Sequence, residues 1–278
     1  FFYPDLAALD RAGEMKDLDR AAERLIKAVD KGERILLYGD YDVDGTCSVA
    51  MMWRFLKSLG ADVHHYIPDR HTEGYGVSEK GVQHAISGGF DLMMTLDCGI
   101  TAVAKLERLS RQGIDVIVTD HHLPGDVLPQ VFAVVNPNRP DCTYSGKELC
   151  GCGVAYVLLR RMASQYLKGR FAQDEFDEYL AYTTLATCSD IVPLTGINRA
   201  IVAAGMRVLN EKPPLGIRAL LDTAGFKGSL NVSEVVFKIG PRINAAGRLE
   251  HANLAVEILT TDDEDQAREY AAYIEKVN

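Results

Sequence analysis

The sequence predicts an α/β fold: a doubly wound, mostly parallel sheet with helices on both faces, followed by a helical portion. Three observations predict it. Short apolar runs at residues 34–38, 92–96 and 115–119 each end abruptly in polar chemistry. Helical patterns fill the intervals between them, and the connections are short. From about Gly151 onward the strand signals give way to helical periodicity. Continuous apolar runs bounded by turn signals suit strands covered on both faces. Strand–helix alternation with right-handed crossovers then implies a parallel sheet.

The first run, Arg34-Ile35-Leu36-Leu37-Tyr38, leads into Gly39-Asp40. The second, Leu92-Met93-Met94-Thr95-Leu96, leads into Asp97, and the third, Asp115-Val116-Ile117-Val118-Thr119, into Asp120-His121-His122. Residues 62–67 and 131–135 are two further candidate strands. After the first run, Val49, Met52, Trp53, Leu56 and Leu59 form one apolar helical stripe, and Val103, Leu106 and Leu109 repeat it after the second. The polar residues therefore fall at the carboxyl ends of neighbouring strands, where open α/β sheets place their sites.

Candidate helices of the second part span residues 153–167, 174–188, 198–209, 214–223 and 253–260. Residues 261–278 read as a polar helix, with Asp262-Asp263-Glu264 near its start favouring the helix dipole. Its apolar positions, Ala267, Tyr270, Ala271 and Ile274, form a stripe with nothing downstream to meet. The expected organisation is an α/β core at 1–150 carrying most of the metal ligands. A helical part of the same domain follows at 151–260, then the start of a linker helix to a further domain at 261–278.

The chain's 278 residues suffice for a proper core, and 47% hydrophobic with 25% charged residues is ordinary globular composition. No run approaches the ~20 apolar residues that span a bilayer, so no membrane association is expected. The opening Phe1-Phe2-Tyr3-Pro4 has no initiator Met and no basic-then-apolar signal segment, which suits a fragment of a cytoplasmic protein. Cys47, Cys98, Cys142, Cys150, Cys152 and Cys188 lack paired zinc spacing, and Cys150-Gly151-Cys152 reads as small thiols packed beside glycines. The net charge of −9 argues against a basic groove covering the surface. Divalent cations at an acidic site would nevertheless reverse the local field.

The densest feature is Asp40-Tyr41-Asp42-Val43-Asp44-Gly45. Three carboxylates at alternate positions directly after an apolar strand repel one another, and divalent metal is the simplest relief. A calcium loop fails on register, because its twelfth position would be Met51 rather than Glu. A P-loop NTPase fails because no G-x-x-x-x-G-K-[ST] occurs. Asp97, at the edge of the same sheet as Asp42, is placed to bridge two metals. Adjacent histidines in a strand tail point to different sides, so one of His121 and His122 can ligate while the other faces substrate. Asp190 ends a largely apolar helical run and needs a partner.

Carboxylates and imidazoles without thiolate are what Mn²⁺ or Mg²⁺ accepts. Two such ions would activate water and hold both oxygens of an in-line displacement, which describes a hydrolase of phosphate esters or anhydrides. Gly240-Pro241-Arg242-Ile243-Asn244-Ala245-Ala246-Gly247-Arg248 supplies complementary groups, Arg242 and Arg248 as phosphate clamps and Asn244 as a donor. Arg70 lies in a similar turn-rich loop whose Tyr75 can stack on a base. Gly151-Cys152-Gly153 opens a helix whose amides can receive a phosphate.

Together these residues resemble the DHH phosphoesterase superfamily, specifically its RecJ branch of single-strand nucleases. The resemblance runs through Tyr38-Gly39-Asp40-Tyr41-Asp42-Val43-Asp44-Gly45, Glu73-Gly74-Tyr75-Gly76, Asp97-Cys98-Gly99-Ile100, Thr119-Asp120-His121-His122, Asn136-Pro137, Asp190-Ile191-Val192-Pro193-Leu194 and residues 240–248. Each motif is short, and their ordered combination is specific. The resemblance implies a 5′→3′ exonuclease on single-stranded DNA that depends on Mn²⁺ or Mg²⁺ and serves recombination and repair. Single-strand-binding protein and a helicase are its implied partners. By position, Asp42 and Asp97 would hold one metal, with Asp40 an additional ligand. Asp97 would bridge to a second metal held by Asp44, His121 and Asp190, and His122 would either contact the scissile phosphate or support the metal ligands from behind.

This chain departs from the branch at Cys98, where Asn is usual, and at Ser189, where Ala is usual. The branch also continues into a second small domain with a glycine-rich substrate-binding motif. Within the superfamily, cleavage of short oligoribonucleotides or cyclic dinucleotides is the alternative, and segments 73–76 and 240–248 favour the exonuclease. A pyrophosphatase fits the metals but not the long helical stretch after Asn136. A non-catalytic replication scaffold built on this fold would have lost ligands, whereas this chain keeps every proposed one.

Overall fold

The structure, a computed structural model, describes residues 4–170, 173–247 and 253–278. After a single helical turn, α1 (Ala8–Arg11), helix α2 (Leu18–Lys31) leads into β1 (Arg34–Gly39). Then follow α3 (Val43–Ser58), β2 (Asp62–Tyr66), α4 (Glu79–Ser87), β3 (Leu92–Leu96), α5 (Val103–Arg111), β4 (Asp115–Thr119) and β5 (Ala133–Val135). The five strands form one sheet in the order β2-β1-β3-β4-β5, with every pair parallel.

Alternation along each strand sorts the two faces. Ile35, Leu37, Met94, Ile117 and Val135 share a core with α2, α3 and α6 (Gly151–Arg161). Leu36, Tyr38, Met93, Val116, Val118 and Val134 pack with α4 and α5 on the opposite face. The sheet is therefore doubly wound, as the continuous apolar runs predict. Capping fixes where the site-bearing helices begin. Asp42 accepts the amide of Gly45 at the start of α3, and Ser78 accepts that of Gly81 at the start of α4.

After α6 come a π turn (Met162–Tyr166), α7 (Gln173–Ser189), α8 (Gly196–Glu211), α9 (Leu215–Thr223) and α10 (Val232–Glu234). A second π turn (Val235–Ile239), α11 (Gly240–Ala246), α12 (Leu254–Thr260) and α13 (Glu264–Val277) complete the chain. Helix α3 joins the two parts, since α6, α7 and α12 all pack on it and one apolar core runs continuously from α2 to α13.

Three sequence expectations change. The stripe on the last helix meets a partner inside this domain: Ala267, Ala271 and Ile274 are buried, and α13 packs on α9, α11 and α12. Residues 240–246 are helical rather than an open turn, because Pro241 sits in the first turn, where its missing N–H has no partner to lose. Helices α2 and α4 were not among the expected elements. Helix α2 buries Leu18, Ala21, Ala22, Leu25 and Ala28 on one face and carries its charged residues mostly on the other. In α4 the buried face is only Gly81, Val82 and Ala85.

The packing of α13 predicts that Ile274→Ala lowers stability by ~2–4 kcal/mol in urea unfolding. Tyr273→Ala, at a position 45% exposed, should stay within about 0.5 kcal/mol of the parent.

Candidate metal centre and its surroundings

Three strands end in step. Gly39 pairs with Leu96 and Leu96 with Thr119, so the next residues, Asp40, Asp97 and Asp120, fall in one row. Their amides continue the ladder: Asp40 N donates to Leu96 O at 3.3 Å, Asp97 N to Thr119 O at 3.0 Å and Asp120 N to Val135 O at 3.2 Å. The row crosses the crevice where strand order reverses, with β2 on one side of β1 and β3 on the other. Asp97 adopts φ +60°, a left-handed conformation that costs a non-glycine residue ~1–2 kcal/mol. The backbone of Gly151 presses against it. A Cβ at position 151 would lie 2.5 Å from Asp97 Oδ1, so only glycine fits.

Asp44, buried in the first turn of α3, accepts the amides of Gly151 and Cys152 at 2.6 and 2.7 Å. This corrects the expectation that those amides receive a phosphate. The positive end of α6 is already taken by a carboxylate of the chain itself.

His121 Nε2 lies 3.2 Å from Asp97 Oδ1, 3.7 Å from Asp190 Oδ2 and 3.8 Å from Asp44 Oδ2. His122 does not turn to the other side, as a strand tail would have it. The two rings sit 4.5 Å apart, because both residues lie beyond the end of β4, where the pleat no longer alternates side chains. His122 Nδ1 meets Asp120 Oδ1 at 2.7 Å, and Nε2 meets the Tyr75 hydroxyl at 2.8 Å.

Donor atoms gather in three sets, each within 4.8 Å: Asp40, Asp42 and Asp97; Asp44, His121 and Asp190; and Asp97, His121 and His122. All six sequence-predicted ligands are thus brought together, with Asp97 common to two sets. Sequence reasoning left three residues without a role. Asp120 accepts the amides of Ile100, His121 and His122 besides the His122 ring. Asn136 Nδ2 donates to the His122 carbonyl at 2.9 Å, and Asn138 Nδ2 to that of His121 at 2.5 Å. The carboxylate before the histidine pair was a readable signal for Asp120; nothing in the sequence marks Asn138.

Of the remaining candidates, Tyr75 is 59% exposed beside His122, and Arg70 lies over the Tyr41 ring at 5.1 Å. Helix α11 flanks the cluster, with Gly240 against Ser189 and Gly247 against the Tyr41 carbonyl. Asn244 is half-buried on this helix. Arg242 is not free to clamp a phosphate. Its guanidinium forms a two-point pair with Glu275 of α13, at 2.7 and 3.0 Å, and also donates to the Lys238 carbonyl. Arg248 lies outside the described residues.

A family model, the N-terminal domain of the DHH family, matches residues 34–187, which contain the three-aspartate row, Asp42, Asp44 and both histidines. This chain belongs to the DHH family. The single-stranded-DNA-specific exonuclease RecJ of Bacillus subtilis (strain 168) is 41% identical to it over 266 residues, covering 95% of this chain and 33% of that protein. A crystal structure of exonuclease RecJ bound to manganese superposes with TM-score 0.84 at 39% identity, covering 96% of this chain and 66% of that one. RecJ from Thermus thermophilus in complex with Mn²⁺ gives 0.82 at 36% identity, over 95% and 38%. The chain spans about a third to a half of the length of its curated RecJ relatives. No helix among the described residues is long and apolar enough to cross a membrane.

The row of strand-end aspartates, with Asp42 and Asp44, concentrates charge in a buried place. Burial, with the Asp42 charge, pushes Asp40 up to about 7. Burial, then Asp42 and Asp190, does the same to Asp44, against the two amides that hold its charged form. Asp97 is raised by burial and then by the Asp44 charge. Burial and the neighbouring His122 lower His121, which favours a neutral, ligating imidazole. The Asp120 hydrogen bond raises His122. Burial opposes ionisation of Asp120, yet the bond and charge of His122 hold it below the usual range. Among the described residues, both oxygens of Asp40, Oδ1 of Asp97 and Oδ2 of Asp190 are buried without a well-formed hydrogen bond, although the Tyr41 and Gly76 amides lend Asp40 weak support. Such atoms call for cations, and the donor set of carboxylates with imidazole fits hard divalent ions.

Raised carboxyls bind protons more tightly folded than unfolded, so without metal their contribution declines as pH climbs from about 4 through about 7. The lowered His121 acts in the opposite sense, only below its ordinary value. In chelator, the melting temperature between pH 5 and pH 8 should fall by on the order of 5 °C, and saturating Mn²⁺ should abolish that slope in calorimetry.

Proposed function

We propose that this chain is the catalytic core of a metal-dependent 5′→3′ exonuclease that hydrolyses phosphodiester bonds of single-stranded DNA in recombination and repair. The observation that carries the reading is a pair of donor sets, Asp40–Asp42–Asp97 and Asp44–His121–Asp190, brought next to each other by the 3.2 Å approach of His121 to Asp97, with buried carboxylate oxygens that lack a well-formed hydrogen bond. The names of the RecJ relatives support the substrate. In this reading Asp40, Asp42 and Asp97 would hold one Mn²⁺ or Mg²⁺, and Asp44, His121 and Asp190, with Asp97 beside them, would hold the second. Bound there, the ions would supply Lewis-acid charge at the phosphate and lower the pKa of the attacking water.

The protein's own groups do the rest. The amides of Gly151 and Cys152 hold Asp44 in one orientation, and Asp120 holds His122 by Nδ1 with Nε2 on the exposed Tyr75 hydroxyl, which substrate would have to displace. The Asp120 hydrogen bond raises His122 and so favours its charged form, in which Nε2 can donate to a non-bridging phosphate oxygen as charge builds there. Tyr75 offers a face for a base, and Arg70, Asn244 and Arg248 are the candidate backbone contacts. Arg242 acts through Glu275 to brace α11. Single-strand-binding protein and a helicase are the partners this role implies, and the cytoplasm its location.

The test assays the intact protein on end-labelled single-stranded DNA, duplex DNA and short RNA with Mn²⁺, Mg²⁺ or chelator. Degradation of single strands from the 5′ end, only with metal, is expected; preference for short RNA would overturn the reading. Asp97→Ala should abolish Mn²⁺-dependent hydrolysis with unchanged circular dichroism, and undiminished turnover would sink the shared-ligand assignment. Asp120→Asn should lower kcat by roughly 10–100-fold, the size of an orienting partner's loss. It should also move the alkaline limb of the rate profile to lower pH, because His122 loses the carboxylate charge that raises it.

A further inference from the structure

The loop between β2 and α4 carries Arg70 and Tyr75, but the residue that anchors it has no role in the reading above. Glu73 sits in this surface loop with its side chain only 5% exposed. Its Oε2 accepts from the Tyr66 hydroxyl at 2.8 Å and from Ser78 Oγ at 2.5 Å. Its Oε1 accepts the Asp69 amide at 3.1 Å, with Lys80 Nζ 3.8 Å away. Tyr66 ends β2 and Ser78 caps α4, so one carboxylate ties together the two rigid elements between which the loop is strung. Asp69 in turn accepts the amides of His71 and Thr72, which fixes the turn holding Arg70.

At the tip, Gly74 and Gly76 take φ of +79° and +76°, conformations that glycine adopts without steric cost. The chain bends at residues 75–77, and Tyr75 stands exposed. The ring stands edge-on to Tyr41 at 6.3 Å, with its hydroxyl 2.8 Å from His122 Nε2. The carbonyl of Gly76 is held by the buried Tyr38 hydroxyl at 3.0 Å, and that hydroxyl accepts the Ser78 amide at 2.9 Å. Glycines on either side of Tyr75 would leave its position loose, and the bonds of Glu73 and Tyr38 remove that freedom. Removing the carboxylate leaves two hydroxyls and an amide without their acceptor.

We propose that Glu73 is a positioning residue for substrate binding, its buried carboxylate holding residues 69–78 so that Tyr75 stays on His122 and Arg70 on Tyr41 at the mouth of the acidic cluster. The nuclease reading supplies the identity of the substrate; the loop geometry stands without it. The partners of Glu73 are Tyr66, Asp69, Ser78 and Lys80, none of them a metal donor. Loss of Glu73 therefore weakens the grip on substrate more than it slows the chemical step.

The experiment compares intact wild type, Glu73→Ala and Glu73→Gln in three measurements. These are hydrogen exchange without DNA, Mn²⁺ titration, and steady-state cleavage of end-labelled single-stranded DNA. In Glu73→Ala, amides 69–78 should exchange roughly tenfold faster with the rest of the protein unchanged. KM should rise roughly tenfold while kcat stays within about threefold, the signature of lost uniform binding, and Mn²⁺ affinity should not move. Glu73→Gln, which keeps an acceptor for Tyr66 and Ser78, should recover most of the KM. Unchanged loop exchange in Glu73→Ala overturns the role of Glu73, as does a loss of kcat and Mn²⁺ affinity matching the loss in KM. Failure of the wild type to cut any single strand overturns the nuclease reading and with it the substrate named here.

Discussion

Parallel strands β1, β3 and β4 stop at the same level, and their hydrogen-bond ladder runs one residue further into Asp40, Asp97 and Asp120. The remainder of the site is arranged around that row. Neighbouring parallel strands lie ~4.8 Å apart, so three consecutive strand ends deliver three carboxylates at nearly fixed spacing. One-residue slips in register would turn each side chain to the opposite face and dissolve the cluster. The apolar faces that lock the register, Ile35, Leu37 and Met94 on one side and Leu36, Tyr38 and Met93 on the other, are therefore also the parts that aim the acids.

Such a row is electrostatically unfavourable in the absence of cations, and the fold concedes only part of the relief. Asp44 is given the amides at the start of α6, and Asp120 is given three amides and an imidazole. Asp40 and Asp97 receive no comparable help, and burial raises both above the usual carboxylate range. This division separates two kinds of acid. Asp120 is satisfied by the protein and orients a histidine, while Asp40 and Asp97 have oxygens left for an ion. The left-handed backbone at Asp97, wedged against Gly151, adds a local cost that only the surrounding packing sustains.

The helical half closes the site from the other side. Helix α7 brings Asp190 to its end, α6 presents its amides, and α11 lies alongside with its glycines against Ser189 and Tyr41. The Arg242–Glu275 pair then braces α11 with α13, so the last helix belongs to the packing of this domain whatever else it reaches. Both halves share α3, whose first turn carries Asp44 and whose body is buried against α6, α7 and α12.

Much of this was legible from residue order alone. The strands, the doubly wound class and the six ligand candidates follow from apolar runs that terminate in acids, because strand ends and turn chemistry are local properties. Helices α2 and α4 were not among the elements read, although both are amphipathic and α2 buries Leu18, Leu25 and three alanines under a charged outer face. Nor were the fates of Arg242 and of the α6 amides, since a guanidinium or an N–H reads the same whether its acceptor is a phosphate or a carboxylate 33 or 107 residues away. Which acids the protein satisfies and which it leaves open, and how Glu73 ties Tyr75 to His122, depend on distances between remote segments. The sequence by itself determined the kind of chemistry, because only cations reconcile so many carboxylates at the ends of apolar strands. Tertiary structure alone decided which oxygens face that chemistry, because hydrogen-bond partners are allotted by packing.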